Sequence, residues 1–260
     1  MARREINSGW VAIVAAMVSL FLLVACGMDQ SRKREEGNMH VNIGTAYIES
    51  GDHNGALKEL LTAEKLMPDE PRVHYFLAMA YHAKGYEEKA VDECKRAITL
   101  KPDYSEAHNL LGTIYMHGGK YNQAIASFQS ALKNMIYDRP ANALYNMGRA
   151  YYHLGDYAKA MSSYQEAMVR DSRGELVPLI EHGMGKTMYS QGDFLRAAAR
   201  FKKSTELAPS YVESYFWLGE SYMKTGKAKE AKKAFATVIK LAPDSDFSSK
   251  AQESLDKLNR

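Results

Sequence analysis

Residues 78–102 read AMAYHAKGYEEKAVDECKRAITLKP, and the spacing inside this stretch recurs along most of the 260-residue chain. Gly85 and Ala90 stand five residues apart. So do Gly51/Ala56, Gly119/Ala124, Gly155/Ala160, Gly192/Ala197 and Gly226/Ala231. The glycines follow one another at intervals of 34, 34, 36, 37 and 34 residues. Seven residues before each lies a small residue: Gly44, Ala78, Gly112, Gly148, Gly185 and Gly219. Four before each lies Tyr47, Tyr81, Tyr115, Tyr151, Met188 or Tyr222. A period of this length marks a chain of stacked repeats.

Counting each repeat from its first residue, with Gly37 as position 1, the unit is a helical hairpin. Small residues at positions 8, 20 and 27 let two antiparallel helices approach, and large ones at positions 11 and 24 fill the space beside them. Position 24 is Leu60, Cys94, Phe128, Tyr164, Phe201 or Phe235. Glycine at position 15 supplies the left-handed backbone that ends the first helix. Proline at position 32 (Pro68, Pro102, Pro209, Pro243) stops the second. One hairpin cannot bury its apolar face alone, so each needs neighbours. The pattern resembles the tetratricopeptide repeat over Gly37 to Ser245. The resemblance implies an all-α, right-handed superhelical solenoid of six repeats: 37–70, 71–104, 105–140, 141–174, 178–211 and 212–245. Residues 246–260 carry an apolar stripe of Phe247, Ala251, Leu255 and Leu258 suited to a capping helix.

Composition is that of an ordinary globular chain, 46% hydrophobic and 25% charged with a net charge of +3. The charges are dispersed, so no nucleic-acid partner is expected. Cys94, at a core position, reads as a small buried hydrophobe, and no disulfide framework is implied.

Residues 1–25 read as a signal peptide. Arg3 and Arg4 precede an almost wholly apolar run from Trp10 to Ala25, which is short for a membrane span. The run ends in Leu23-Val24-Ala25-Cys26, which resembles the bacterial lipobox. That resemblance implies cleavage before Cys26 and a covalent lipid on it, with no other cofactor. Gly27 rather than Asp after the cysteine implies a lipid-anchored, periplasm-facing position at the outer membrane. Residues 27–36 are expected to be a charged linker, reaching about 35 Å if extended.

Two repeats break the period. Repeat three is two residues longer and has Ile136 at position 32, with its proline delayed to Pro140. Repeat four has Ser172 there and is followed by three extra residues. The segment Ala131-Leu132-Lys133-Asn134 … Tyr137-Asp138-Arg139-Pro140-Ala141 … Asn146-Met147-Gly148 resembles the type IV pilus biogenesis lipoproteins, the PilF/PilW/Tgl group of pilotins. The resemblance implies a non-enzymatic lipoprotein that binds the pilus secretin subunit and promotes its localisation or multimerisation in the outer membrane. A general envelope adaptor that docks peptidoglycan enzymes or proteases would show the same repeats.

In such repeats, positions on the first helix face a concave groove. The expected groove residues are Tyr75, Met79, His82, Asn109, Met116, Tyr145, Arg149, Tyr152, His182, Lys186, Tyr189 and Phe216. Aromatics and methionines suit a peptide or helical protein partner rather than a small-molecule substrate. About a third of them are expected to pack as core instead. A carboxylate clamp is incomplete, because Asn146 lacks its Lys and Asn companions at Thr113 and Leu179. His40, His74 and His108 repeat every 34 residues at position 4. With no carboxylate or thiolate at helical ligand spacing, they are expected to pack, and no metal is expected. Catalytic signatures are absent, and Gly183-Met184-Gly185-Lys186-Thr187 lacks the upstream glycine and strand of a phosphate loop. No enzymatic activity is expected.

Overall fold

The computed structural model describes residues 8–259, with side chains at Met17 and from Gln30 onward. Arg3, Arg4 and the side chain of Cys26 lie outside these. Among the described residues there are thirteen helices and no strand. They are α1 (Ser8–Ser50), α2 (His53–Leu66), α3 (Pro71–Ala83), α4 (Glu87–Leu100), α5 (Ser105–His117), α6 (Tyr121–Ala131), α7 (Pro140–His153), α8 (Tyr157–Arg170), α9 (Val177–Ser190), α10 (Phe194–Leu207), α11 (Val212–Lys224), α12 (Ala228–Leu241) and α13 (Asp246–Asn259). Contacts divide the chain into two compact units, Met1–Pro102 and Asp103–Arg260. The first holds the hairpins α1/α2 and α3/α4. The second holds α5/α6, α7/α8, α9/α10 and α11/α12, with α13 packed on α11 and α12.

The ends of these helices follow from their sequence. All six position-15 glycines have positive φ, Gly85 at +76°, a conformation costly for any residue with a Cβ. The second helix then starts at once. In three hairpins an aspartate caps it, as where Asp52 Oδ1 accepts from the Gly55 N–H at 2.9 Å. α7 begins at Pro140 and α9 at Val177 with Pro178 following, each one residue earlier than the repeat spacing places them. Proline suits the first turn, where its missing N–H has no partner to lose.

One segment departs from expectation. Residues 27–36 are helical within α1 rather than extended. Gln30 to Glu36 are mostly strong helix formers without Pro or Gly, so the helix runs on through them. Ten residues then rise about 15 Å instead of 35 Å. Residues 30–36 are exposed, and Gly37 is the first buried residue after them. Among the described residues no helix is long and apolar enough to cross a membrane.

Each hairpin is held by the contact between positions 8 and 24. A Cβ added at Gly112 would meet Phe128 at 2.5 Å, one at Gly148 would meet Tyr164 at 2.7 Å, and those at Gly185 and Gly219 would meet Phe201 and Phe235 at 2.7 Å. The rings of Phe128, Phe201 and Phe235 are fully buried against these glycines. Burying one such ring is worth about 1.5–3 kcal/mol. The second hairpin divides the volume at these two positions differently. Ala78 carries the extra methyl, Cys94 is smaller than a ring, and both are fully buried. Burial also pushes the Cys94 thiol far up, so it is inert packing.

Tyr164 reaches one hairpin further. A Cβ at Gly183 on α9 would lie 2.7 Å from Tyr164 Cζ and 2.9 Å from its hydroxyl. Both glycines of the Gly183–Thr187 segment therefore lie inside a helix and admit aromatic rings, Gly183 that of Tyr164 and Gly185 that of Phe201.

Position 4 of the first helix and position 23 of the second form a polar cross-link. His40 Nδ1 lies 2.6 Å from Glu59, His74 Nδ1 2.7 Å from Glu93, and Arg200 donates to Glu181 at 3.1 Å. Carboxylates do accompany His40 and His74. They come from the facing helix, which spacing within one helix does not reveal.

Because the position 8/24 space is filled, Gly148→Ala should cost about 1–3 kcal/mol in urea unfolding. Cys94→Phe should be similarly destabilising alone. Adding Ala78→Gly should recover most of that loss, which a double-mutant cycle would read as coupling.

Candidate functional site

Within the second unit, among the described residues, successive first helices touch (α5 with α7, α7 with α9, α9 with α11), whereas successive second helices do not. The first helices therefore form the inner layer. Seven of the expected groove residues lie on three adjacent inner helices. Tyr145, Arg149 and Tyr152 are on α7, His182, Lys186 and Tyr189 on α9, and Phe216 on α11. Asn109 and Met116 are on α5. Tyr75, Met79 and His82 are on α3 of the first unit, half-buried, with the Tyr75 ring 5.2 Å from that of Phe76 and His82 Nδ1 3.1 Å from Glu87.

Three of the twelve are core rather than surface. Met116 packs with Phe128, and Phe216 packs with Phe235 and α13, its ring 5.4 Å from that of Phe247. His182 is only 4% exposed. The inner helices are close enough for these side chains to be claimed by the neighbouring hairpin, which a position rule does not anticipate.

The half-buried remainder forms a ladder of rings and cations. The Arg149 guanidinium lies 5.8 Å from the Tyr145 ring, and no carboxylate pairs with it among the described residues. Lys186 sits between helices, its Nζ 5.6 Å from the Tyr152 ring of α7 and 5.5 Å from the Trp217 ring of α11. Such contacts are worth about 0.5–1 kcal/mol where exposed and more where desolvated. The Tyr152 hydroxyl lies 3.1 Å from Ser190 Oγ. The local field is positive enough to act on His153, which stacks on Tyr121 at 4.9 Å. Burial, then Lys186 and Arg149, hold its imidazole below its usual range.

One carboxylate anchors the ladder. Glu213 lies 3.5 Å from Lys186 Nζ and 3.3 Å from His182 Nε2. Below it runs a buried chain of hydrogen bonds. Ser204 donates to the Pro178 carbonyl at 2.8 Å, so Ser214 must donate to Ser204 (2.8 Å), and His182 Nδ1–H donates to Ser214 (2.8 Å). The ring orientation is thereby set, with Nε2 facing Glu213. The hydrogen bond from His182 holds the Glu213 carboxyl down to about 2. Burial opposes this, and the charges of His182 and Lys186 and the Trp217 N–H assist. The Trp217 Nε1 has no partner of good hydrogen-bond geometry, so its share is the weakest.

Glu213 and Trp217 were not among the expected residues. Glu213 occupies position 2, which does face the groove. Trp217 occupies position 6 and is one of only two tryptophans in the chain, the one signal that pointed to it.

The two lapses of the period lie together at one edge of this unit. The connection after α6 is pinned by Asn134, whose Nδ2 donates to the Asp103 carbonyl (3.2 Å) and whose Oδ1 accepts from the Ile136 N–H (3.1 Å). Tyr137 is buried there, while Met135 and Ile136 are 99% and 84% exposed. Facing it, Asp171 accepts from the Leu176 N–H at 2.7 Å in the connection after α8. Between the two connections is a polar cleft of about 560 Å³ bordered by Asp138, Arg139, Arg170 and Arg173.

Tetratricopeptide-repeat profiles match residues 44–85, 71–104, 103–169 and 188–253. The chain belongs to the tetratricopeptide-repeat family. Among solved structures it is similar to PilF of Pseudomonas aeruginosa, at 16% identity and TM-score 0.74 over 85% of this chain and 98% of that one. It is also similar to PilW, described as a widely conserved type IV pilus biogenesis factor, at 19% identity and TM-score 0.75 over 86% of this chain and 98% of that one. YrrB, described as having an unusual peptide-binding site, aligns at 18% identity and TM-score 0.56 over 75% of this chain and 97% of that one. These likenesses establish the all-α repeat fold. No curated protein matches the sequence.

Glu213 has an ordinary carboxyl value of 4.5 that falls to about 2 on folding. Its stabilising contribution is therefore complete above about pH 4.5 and is lost as pH falls toward 2. Glu213→Gln should flatten the loss of stability across that window, as read by urea unfolding at successive pH values.

Proposed function

We propose that the chain is a non-enzymatic assembly lipoprotein of a type IV pilus system. The inner face of its second unit holds a segment of the pilus secretin, and a lipid on Cys26 keeps the protein at the periplasmic side of the outer membrane. The observation that carries the proposal is the ladder of Tyr145, Arg149, Tyr152, Lys186 and Trp217 across α7, α9 and α11. It offers half-buried aromatic area together with an unpaired guanidinium, the kind of surface that anchors a protein segment. Arg149 has charge left to offer a partner, whereas Lys186 is shared with Glu213.

Two further features support the reading. The chain aligns with nearly all of the PilF and PilW chains. The Leu23-Val24-Ala25-Cys26 stretch also agrees with an envelope lipoprotein. The mechanism is tethering. Lipid anchorage confines the scaffold to the membrane where secretin subunits must meet, and the groove raises their effective concentration there.

Tyr152→Ala and Arg149→Ala should weaken binding to the purified periplasmic region of the secretin by about tenfold or more, with helical CD unchanged. Tyr152 serves better than Tyr145, which packs on Tyr164 with ring centroids 5.9 Å apart. In cells, deleting the gene should abolish SDS-resistant secretin multimers and twitching motility. Cys26→Ala should leave the protein off the outer membrane with the same loss. Normal multimers in the deletion strain would sink the pilus reading in favour of a general envelope adaptor, while full activity of Cys26→Ala would sink the lipid anchor alone.

A further inference from the structure

Of the three histidines that repeat at position 4, His74 is the one brought together with two carboxylates among the described residues. Its imidazole is 3% exposed, and Nε2–H donates to the Pro68 carbonyl in the α2–α3 connection at 2.8 Å. That bond fixes the ring and leaves Nδ1 to share a proton with Glu93 of α4 at 2.7 Å, the nitrogen that becomes a ligand once that proton is lost. A backbone carbonyl on the remote nitrogen is the usual way a metal-ligating histidine is oriented.

A third group converges on the pair. Glu64 of α2 places a carboxylate oxygen so that the ligand atoms of Glu64, His74 and Glu93 all lie within 4.8 Å of one another. Glu64 is half-buried and has no hydrogen-bond or ion-pair partner among the described residues. Its charge and that of Glu93 both act on the Tyr81 phenol. Lys89 lies over the Tyr81 and Tyr86 rings, 5.3 and 5.7 Å from their centroids, rather than on either carboxylate. Two carboxylates thus face one imidazole in a partly desolvated pocket, with one of them left over.

The repeats supply their own controls. His40 and Glu59 reproduce the His–Glu pair at 2.6 Å, but one period before Glu64 stands Gln30, which cannot supply a carboxylate. His108 has Ser127 where His74 has Glu93, and Ile98 where it has Glu64. Of these three positions only that of His74 has all three donors, one from α2 of the first hairpin and two from α3 and α4 of the second.

We propose that Glu64, His74 and Glu93 form a zinc site that staples α2, α3 and α4 together. One nitrogen and two carboxylate oxygens with a water in the fourth place match the donor set zinc accepts. With bonds of about 2.0–2.2 Å in a tetrahedron, ligand atoms stand about 3.3 Å apart. The His74–Glu93 contact opens by roughly half an ångström and Glu64 swings inward by a rotamer adjustment. Binding exchanges the proton held between His74 and Glu93 for the cation.

The test uses the full chain, purified in detergent without a histidine tag, with zinc chloride as the probe in equilibrium dialysis and calorimetry. One zinc per chain should bind. Glu64→Gln, which leaves the His74–Glu93 hydrogen bond in place and so is safe for folding, should weaken binding by about tenfold or more. His40→Ala should leave binding unchanged. Cobalt in place of zinc should give visible absorption of tetrahedral intensity that Glu64→Gln removes. Absence of bound zinc, equal affinity in Glu64→Gln, or loss in His40→Ala would each overturn the site and leave His74–Glu93 as a structural hydrogen bond. None of these outcomes bears on the secretin groove, which lies in the second unit.

Discussion

The contact on which the structure depends is a glycine against a ring, repeated from hairpin to hairpin. Position 8 of the first helix has no side chain, and position 24 of the second fills the space with Phe128, Tyr164, Phe201 or Phe235. Helix axes can then approach while a large apolar surface leaves water. The constraint is on volume shared between the two positions, as the Ala78/Cys94 hairpin makes plain. There the methyl gained on one helix is offset by the smaller side chain on the other. Turn glycines and aspartate caps set where helices end, but this packing sets how close they lie.

Tyr164 shows how the same contact can carry information between hairpins. Being longer than phenylalanine by a hydroxyl, it passes beyond Gly148 and requires a second gap at Gly183 on the next inner helix. The α7/α8 hairpin is thereby keyed to α9 from within, while its two irregular connections enclose a polar cleft at its edge. The inner face opposite is where Lys186 bridges Tyr152 and Trp217. The hairpin that departs from the period in length is therefore also the one whose packing and surface are most individual. Rigid placement of those rings keeps the loss of side-chain entropy small when a partner docks.

Electrostatics in the two units follow one logic with different outcomes. In each, a histidine held by a second hydrogen bond faces a glutamate from another helix. At His182 the serines beneath the ring and the carboxylate above it form a closed network in which Lys186 completes the charge balance. At His74 the network is open, because Glu64 adds a carboxylate with no hydrogen-bond or ion-pair partner among the described residues. Buried polar groups are tolerated when every member is satisfied, and a second, half-buried carboxylate is what distinguishes the His74 cluster.

The sequence by itself determined the hairpins. Position 8 and position 24 lie sixteen residues apart on either side of one tight turn, so their meeting follows from helix geometry and Gly85 or its counterparts. The number of repeats, the turn glycines and the inner location of α7, α9 and α11 were legible for that reason. Tertiary structure alone decided what depends on the angle and distance between hairpins. It put Met116, His182 and Phe216 into the core, placed Trp217 over Lys186, and brought Glu64 to His74. The helix through residues 27–36, by contrast, follows from local helix propensity, although no periodic apolar pattern marked it. Contacts within a hairpin repeat with the period, whereas contacts between hairpins depend on the packing of many side chains at once, and no spacing in the chain encodes that.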